Sequence, residues 1–233
     1  MSGPAATLGP PPLPSPSDAD PAAARPLLRG WLHLVMLPLA LAGGLVLVTR
    51  APGPGAKTAL VVYTLGMGSL FGVSAAFHRI RWSPGARRAM RRADHSTIFV
   101  GIAGTYTAVA VLALHGWAEV LVLCLVWIGG AFGIASRQIW LDAPKWAIAL
   151  PYLVVGWCAL AVVPQLVHGM GGAGFGLLLA GGAVYTAGAI AYALRKPKAW
   201  PAVFGYHEVF HTCTVIGAVL HYAAIAAYAL PRH

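Results

Sequence analysis

The chain has 233 residues, of which 58% are hydrophobic and 9% are charged, whereas a typical soluble domain carries about 25% charged residues. This composition indicates an integral membrane protein and excludes an ordinary soluble domain. The net charge of +10 would suggest nucleic-acid binding in a soluble protein, but cationic residues of membrane proteins collect in cytoplasmic loops, so we predict no nucleic-acid partner.

Two regions are predicted. Residues 1–26 are rich in Pro, Ala, Ser and Gly and have no apolar periodicity, which predicts a disordered N-terminal tail. No basic region with a short apolar run precedes the first long apolar run, so we expect no signal peptide. The remaining residues, 27–233, are predicted to form one membrane domain, because each spanning helix needs about 20 residues.

Seven apolar runs follow the tail, each near the length that crosses a bilayer. They cover residues 31–49, 59–77, 97–114, 120–136, 146–163, 175–194 and 203–230. Short breaks that contain Gly and Pro separate most of them. The predicted fold is therefore all-α, an integral membrane bundle of seven transmembrane helices.

The cationic residues orient this bundle. Of the 16 Lys and Arg residues, 13 fall in the tail and in the breaks that follow the second, fourth and sixth runs, and three fall on the opposite side. Since cytoplasmic loops of membrane proteins carry the excess of Lys and Arg, we predict a cytoplasmic N-terminus and an outside C-terminus.

Histidines and acids meet at one depth of the predicted bundle. The second helix ends on the cytoplasmic side at His78, the third begins there at Asp94, and the seventh begins there with His207 and His211. Ionisable residues within a membrane are costly and point to function. The topology predicts that these side chains share a depth, although it does not predict that they are close laterally.

The residue types suit a zinc site. His207 and His211 are four residues apart and share one face of a helix, and with His78 they would supply three imidazole ligands and leave a fourth position for water. Asp94 could hold that water or orient an imidazole, and Ser74, one turn before His78, could donate a hydrogen bond to it or to a developing oxyanion. Alternatively, each histidine is structural, and Asp94 stabilises a helix N-terminus and pairs with a neighbouring Arg.

The seventh helix also contains His207-Glu208-Val209-Phe210-His211, which matches the H-E-x-x-H pattern of zinc proteases. In that pattern the Glu is the general base. His221 is too far along the same helix to share the site and is expected to line a cavity. His33 and His95 are not predicted to be ligands, and His33 is expected at the membrane interface.

The same residues carry a family resemblance. Ser74-x3-His78, the stretch that begins Asp94-His95-Ser96-Thr97, and His207-x3-His211 together resemble the bacterial hemolysin III branch of the progestin and adipoQ receptor family. The resemblance implies a seven-helix protein of the bacterial inner (plasma) membrane with a buried zinc ion near the cytoplasmic face. It implies His78, His207 and His211 as ligands, with Asp94 and Ser74 close by, and it does not carry a catalytic role to Glu208.

Four functions follow as hypotheses. The first is a zinc-dependent hydrolase of an amide or ester in a lipid-like substrate, with a role in membrane lipid homeostasis. The second is a membrane sensor or receptor in which zinc is structural, the third is a pore-forming cytolysin, and the fourth is a membrane metalloprotease. In the first two the partners are membrane lipids. The sequence predicts no particular oligomeric state.

Overall fold

The computed structural model describes residues 26–197, 200 and 202–232, so the predicted tail lies outside the described residues except for Pro26. Seven α-helices follow one another in this part of the chain: α1 (Trp31–Thr49), α2 (Pro54–Arg79), α3 (Pro84–Ala113), α4 (Trp117–Ile139), α5 (Lys145–Gly156), α6 (Val163–Leu194) and α7 (Tyr206–Ala224). A 3₁₀ segment, Cys158–Val162, joins α5 to α6, and a π-helical turn, Ile225–Ala229, continues α7.

Six helical segments in the described ranges are long and apolar enough to cross a membrane. Five of them are α1, α2, α3, α4 and α7 with its π-helical turn, and the sixth is the single run Lys145–Leu194, which contains both α5 and α6. The prediction of an all-helical membrane protein is confirmed. The count of seven spanning helices and the orientation of the termini stay predictions.

The third helix is much longer than its apolar run predicts. It begins at Pro84 rather than near residue 97, and the hydroxyl of Ser83 accepts a hydrogen bond from the backbone N–H of Ala86 at 3.5 Å. Proline in the first turn and serine at the N-cap are typical of helix starts. Because the first turns of α3 are cationic, hydropathy did not detect them, and four arginines expected in a loop lie on the helix instead.

The sixth helix also differs from its prediction. Residues 164–174, which lie between the fifth and sixth predicted runs, belong to α6. Only Gly171 departs from helical geometry within that helix, with φ 74°, and it marks a kink. A positive φ is readily adopted by glycine because it lacks a Cβ atom, so Gly171 joins two helical stretches at this kink.

Close contact between α2 and α3 positions the site. A Cβ atom added to Gly104 would lie 3.1 Å from the carbonyl oxygen of Val62, and one added to Gly66 would lie 3.0 Å from that of Val100. Small residues permit such close approach of membrane helices. Leu60 and Phe71 of α2 are completely buried, so the part of α2 that leads to His78 packs closely in the core beside α3.

Candidate metal centre

Three histidines from two helices meet at one end of the bundle. His78 lies in the last turn of α2, and His207 and His211 lie in the first turns of α7. One ring nitrogen from each lies within 4.8 Å of the others, and the Nε2 atoms of His78 and His207 are 3.1 Å apart. We call these three residues the histidine triad.

The triad fits a metal ion. Three imidazoles are a common donor set for zinc and other transition metals, and nitrogens bound tetrahedrally to zinc would be about 3.3 Å apart for metal–nitrogen bonds of 2.0–2.1 Å. The separation of 3.1 Å between the first two nitrogens is close to this value. The prediction that these residues could hold a metal is supported by this grouping; the identity of the metal is not fixed by it.

Asp94 and Ser74 lie beside the triad. Ser74 is buried on α2 one turn before His78, and its side chain lies near the Asp94 carboxyl group. Both residues line the same cavity as His207 and His211. The structure therefore brings every predicted site residue to one place, while the roles assigned to them stay predictions.

The alternative interpretation of Asp94 as a helix-terminal residue is wrong. The helix begins at Pro84, so Asp94 lies about three turns inside it. Of the two arginines predicted as partners, Arg91 instead pairs with Asp142 at 2.5 Å and donates to the carbonyl oxygen of Leu141 at 2.6 Å, and Arg92 makes no ion pair within the described residues. Neither helix capping nor that ion pair explains a carboxyl group at this position.

Glu208 is directed away from the triad. It is 1% exposed, its Oε1 pairs with Arg29, and its Oε2 accepts a hydrogen bond from the backbone N–H of Gly205 at 2.8 Å. This is the capping position three residues into a helix. With both oxygens engaged, Glu208 joins the segment before α1 to the first turn of α7, and the geometry gives no support to a role as general base.

His33 was missed as part of the site. It was predicted to lie at the interface, but it is 2% exposed and stacks on His211, with ring centroids 3.8 Å apart and an interplanar angle of 15°. Its other ring neighbour is Phe71, in an edge arrangement at 5.2 Å. No spacing in the sequence indicated this contact, because Arg29, which contacts Glu208, lies before the start of α1 and does not share a helix with His33.

Two cavities meet at the triad. The first, which we call the vestibule, has a volume of about 730 Å³ and is bordered by His78 and His207. The second, which we call the apolar cavity, has a volume of about 130 Å³ and is bordered by His207 and His211. Asp94 borders both, so a molecule that extended from one cavity into the other would pass the triad and this carboxyl group.

The far end of the apolar cavity lies between α6 and α7. His221 borders it, as expected from the sequence. Its Nε2 lies 3.1 Å from the carbonyl oxygen of Leu178, and its ring meets that of Tyr185 edge-on at 5.3 Å. His221 is therefore part of the wall and separate from the triad.

The fold and the site define a class, a helical membrane protein that crosses the bilayer several times and has a group of histidines able to bind a metal ion at one end. Comparison with known proteins identifies the group within that class. The sequence model of the family described as "Haemolysin-III related" matches residues 22–222, and the chain belongs to this family.

Two curated relatives are bacterial. The chain is similar to "Hemolysin-3" of Bacillus cereus, with 29% identity over 190 residues, which is 80% of this chain and 84% of that protein. It is also similar to "Hemolysin-3 homolog" of Bacillus subtilis (strain 168), with 31% identity over 135 residues, 58% of this chain and 61% of that protein. The resemblance stated from the sequence motifs is confirmed.

Proposed function

We propose that this protein is a zinc-dependent hydrolase of the bacterial inner membrane that cleaves an amide or ester bond in a lipid-like substrate. The observation that carries this proposal is the junction of the two cavities at the triad, beside Asp94 and Ser74. A largely apolar space next to a polar one suits a molecule with an acyl chain and a polar headgroup.

The side chains divide the work as follows in this proposal. His78, His207 and His211 hold the metal, which supplies Lewis-acid polarisation of the scissile carbonyl group. Asp94 holds the attacking water, accepts its proton and passes it to the departing amine or alcohol. Ser74, whose side chain lies near Asp94, would donate a hydrogen bond to that carboxyl group and fix its position. His33 supports His211 through its stacked ring.

We further propose seven spanning helices with a cytoplasmic N-terminus. Lys145, at the start of α5, lies 4.0 Å from the ring centroid of Tyr192, near the end of α6, and the indole N–H of Trp157 donates to the hydroxyl of Thr186 at 3.0 Å. These contacts support antiparallel packing of α5 and α6, and therefore two crossings in the run Lys145–Leu194. The triad then lies at the cytoplasmic end, where the positive-inside rule puts the cationic residues.

The first test is metal content together with lipid hydrolysis. Purified protein is expected to hold one zinc ion per chain, and His207→Ala and His211→Ala are expected to lose it. The wild type is then incubated with ceramide and with phospholipids, and released fatty acid is measured. Stoichiometric zinc without any fatty acid release from this panel would remove the main support for a hydrolase.

A second candidate function is a membrane sensor or receptor with structural zinc. It is favoured by one observation: the triad joins the end of α2 to the start of α7, so a metal ion would link helices that are far apart in sequence. Asp94→Asn separates the two candidates. A hydrolase is expected to lose activity with an unchanged melting temperature and metal content, whereas a sensor is expected to keep its signalling output.

The other two hypotheses receive less support. A metalloprotease needs Glu208 to activate water, and both oxygens of that residue are engaged elsewhere. The cytolysin hypothesis agrees with the names of the two relatives and stays a prediction. Conductance by the purified protein in planar bilayers, absent from a heat-inactivated control, would support it.

A further inference from the structure

The vestibule has a strongly cationic lining. It is bordered by five Lys and Arg side chains and two carboxylates, namely Arg29, Arg87, Arg91, Lys145 and Arg195, with Asp94 and Asp142. The cations come from four separate parts of the chain: the segment before α1, the first turns of α3, the start of α5 and the residue after α6. Together they give this concave space an excess of positive charge.

Three of the five cations have no carboxylate partner in the part of the chain that the structure describes. Arg29 pairs with Glu208 and Arg91 pairs with Asp142. Within the described residues, Arg87, Lys145 and Arg195 make no ion pair. The described residues contain four acids, and none of these forms an ion pair with any of these three cations.

Lys145 is held in place by aromatic residues. Its Nζ lies 4.0 Å from the ring centroid of Tyr192 and 4.5 Å from that of Tyr206, and it donates to the Tyr206 hydroxyl at 2.9 Å. Tyr206 directly precedes His207 of the triad. An ammonium group fixed by cation–π contacts loses less rotamer freedom when it binds an anion.

The positive-inside rule alone does not explain this arrangement. That rule requires cationic residues on the cytoplasmic side, and exposed residues such as Arg81 and Arg88 satisfy it without lining the vestibule. It does not require cations from four parts of the chain to converge on one cavity. Their convergence beside the triad favours a role in binding.

We propose that the vestibule binds the phosphate group of a phosphorylated amphiphile, with Lys145 and Arg195 as the main contacts. This inference rests on the proposed function, because it places the acyl chain in the apolar cavity and the bond to be cleaved at the junction beside His207 and Asp94. Lysine and arginine are the usual partners of phosphate. The preferred substrate is therefore an anionic phosphorylated lipid rather than a neutral one.

Binding by a matched pair of lipids tests the proposal. Ceramide 1-phosphate and ceramide differ only in the phosphate, and their affinities for the full-length protein are measured in a neutral maltoside detergent. The phosphorylated lipid is expected to bind at least tenfold more tightly. Lys145→Gln and Arg195→Gln are each expected to weaken its binding about tenfold, the usual size of one charge-assisted hydrogen bond, and to leave ceramide binding unchanged.

Two controls test whether the effect is confined to the vestibule and whether the phosphate must belong to a lipid. Lys57→Gln removes a cation from the opposite end of α2 and is expected to bind both lipids as the wild type does. Inorganic phosphate and glycerol phosphate serve as chain-free competitors and are expected to displace the lipid weakly. Equal affinity for the two ceramides, an equal effect of Lys57→Gln, or chain-free phosphate binding as tightly as the lipid would overturn the proposal.

Measuring binding and hydrolysis separately distinguishes failure of the vestibule proposal from failure of the proposed hydrolase. A protein that prefers the phosphorylated lipid but releases no fatty acid from it supports the vestibule's role and contradicts the hydrolase. A protein that hydrolyses lipids but binds the neutral and the phosphorylated lipid with equal affinity supports the hydrolase and contradicts the vestibule's role. Zinc content is measured for Lys145→Gln and Arg195→Gln and is expected to equal that of the wild type.

Discussion

Replacing Glu208 distinguishes a structural carboxylate from a catalytic one. Its ion pair with Arg29 is largely removed from water, with the side chains 1% and 21% exposed. Breaking a buried pair costs about 3–5 kcal/mol, and we take the lower end because water can still reach Arg29. Glu208→Gln, which keeps an acceptor for the Gly205 N–H, should therefore destabilise the protein by about 3 kcal/mol.

Removing the capping oxygen as well should cost more. Glu208→Ala also loses the hydrogen bond from Gly205, and the loss of a helix cap costs about 1 kcal/mol, which brings the total to about 4 kcal/mol. For a chain of this size, 1 kcal/mol corresponds to roughly 2–4 °C in melting temperature. Glu208→Gln should melt roughly 6–12 °C below the wild type, and Glu208→Ala lower still.

The assay is thermal unfolding of the purified protein in one detergent, followed by intrinsic fluorescence. The double variant Arg29→Gln with Glu208→Gln leaves neither charge unpaired and should be more stable than the sum of the single changes predicts, by about 2 kcal/mol. An unchanged melting temperature for Glu208→Gln, together with lost activity, would refute this reasoning and restore the carboxylate as a general base.

Three further predictions concern the triad and its surroundings. A chelator should lower the melting temperature of the wild type by roughly 5–11 °C, since a metal present at 100 times its Kd contributes about 2.7 kcal/mol. Alanine at any triad position should abolish this response. The control His115→Ala, at an exposed histidine before α4, should keep it. Gly169→Ala should lower the free energy of unfolding by about 1–3 kcal/mol in a melting assay, because the new Cβ would lie 1.9 Å from the carbonyl oxygen of Ala113. The control Gly176→Ala, where a new Cβ would have no atom within 4 Å, should be neutral or slightly stabilising. His33→Phe should keep both the metal content and the melting temperature. Neither ring nitrogen of His33 has a hydrogen-bond partner in the described part of the chain, and a phenyl ring can stack on His211 in the same way. Loss of metal in this variant would show that a ring nitrogen is required.

Hydropathy and charge predicted the depth of the site but not its lateral arrangement. The runs and their flanking cations placed His78 and His207 at the same end of the bundle, because a run indicates the apolar part of a helix and the cations indicate which of its ends faces the cytoplasm. Which helices are neighbours depends on packing between their faces, and a helix in a membrane can be apolar on every side. The contact between α2 and α7 therefore needed the structure.

The same limit explains why His33 was missed and why α3 was drawn too short. Helix α1 is apolar nearly all round, with 17% of its spanning window buried, so its sequence did not show which face meets α7. The first turns of α3 are cationic and lie outside any apolar run. Hydropathy reports the part of a helix that lies in lipid, and the arginines that border the vestibule belong to the part that does not.

Residues just before α1 and in its first turn hold the start of α7 in place. The backbone N–H groups of Leu27 and Leu28 donate to the carbonyl oxygens of Ala202 and Val203 at 3.0 and 3.3 Å, Arg29 pairs with Glu208, and His33 stacks on His211. These contacts hold the segment before α1 along the start of α7, which carries two of the three triad histidines. Metal binding and the Arg29–Glu208 pair should therefore be coupled, and Glu208→Gln should weaken zinc binding even though Glu208 contributes no ligand.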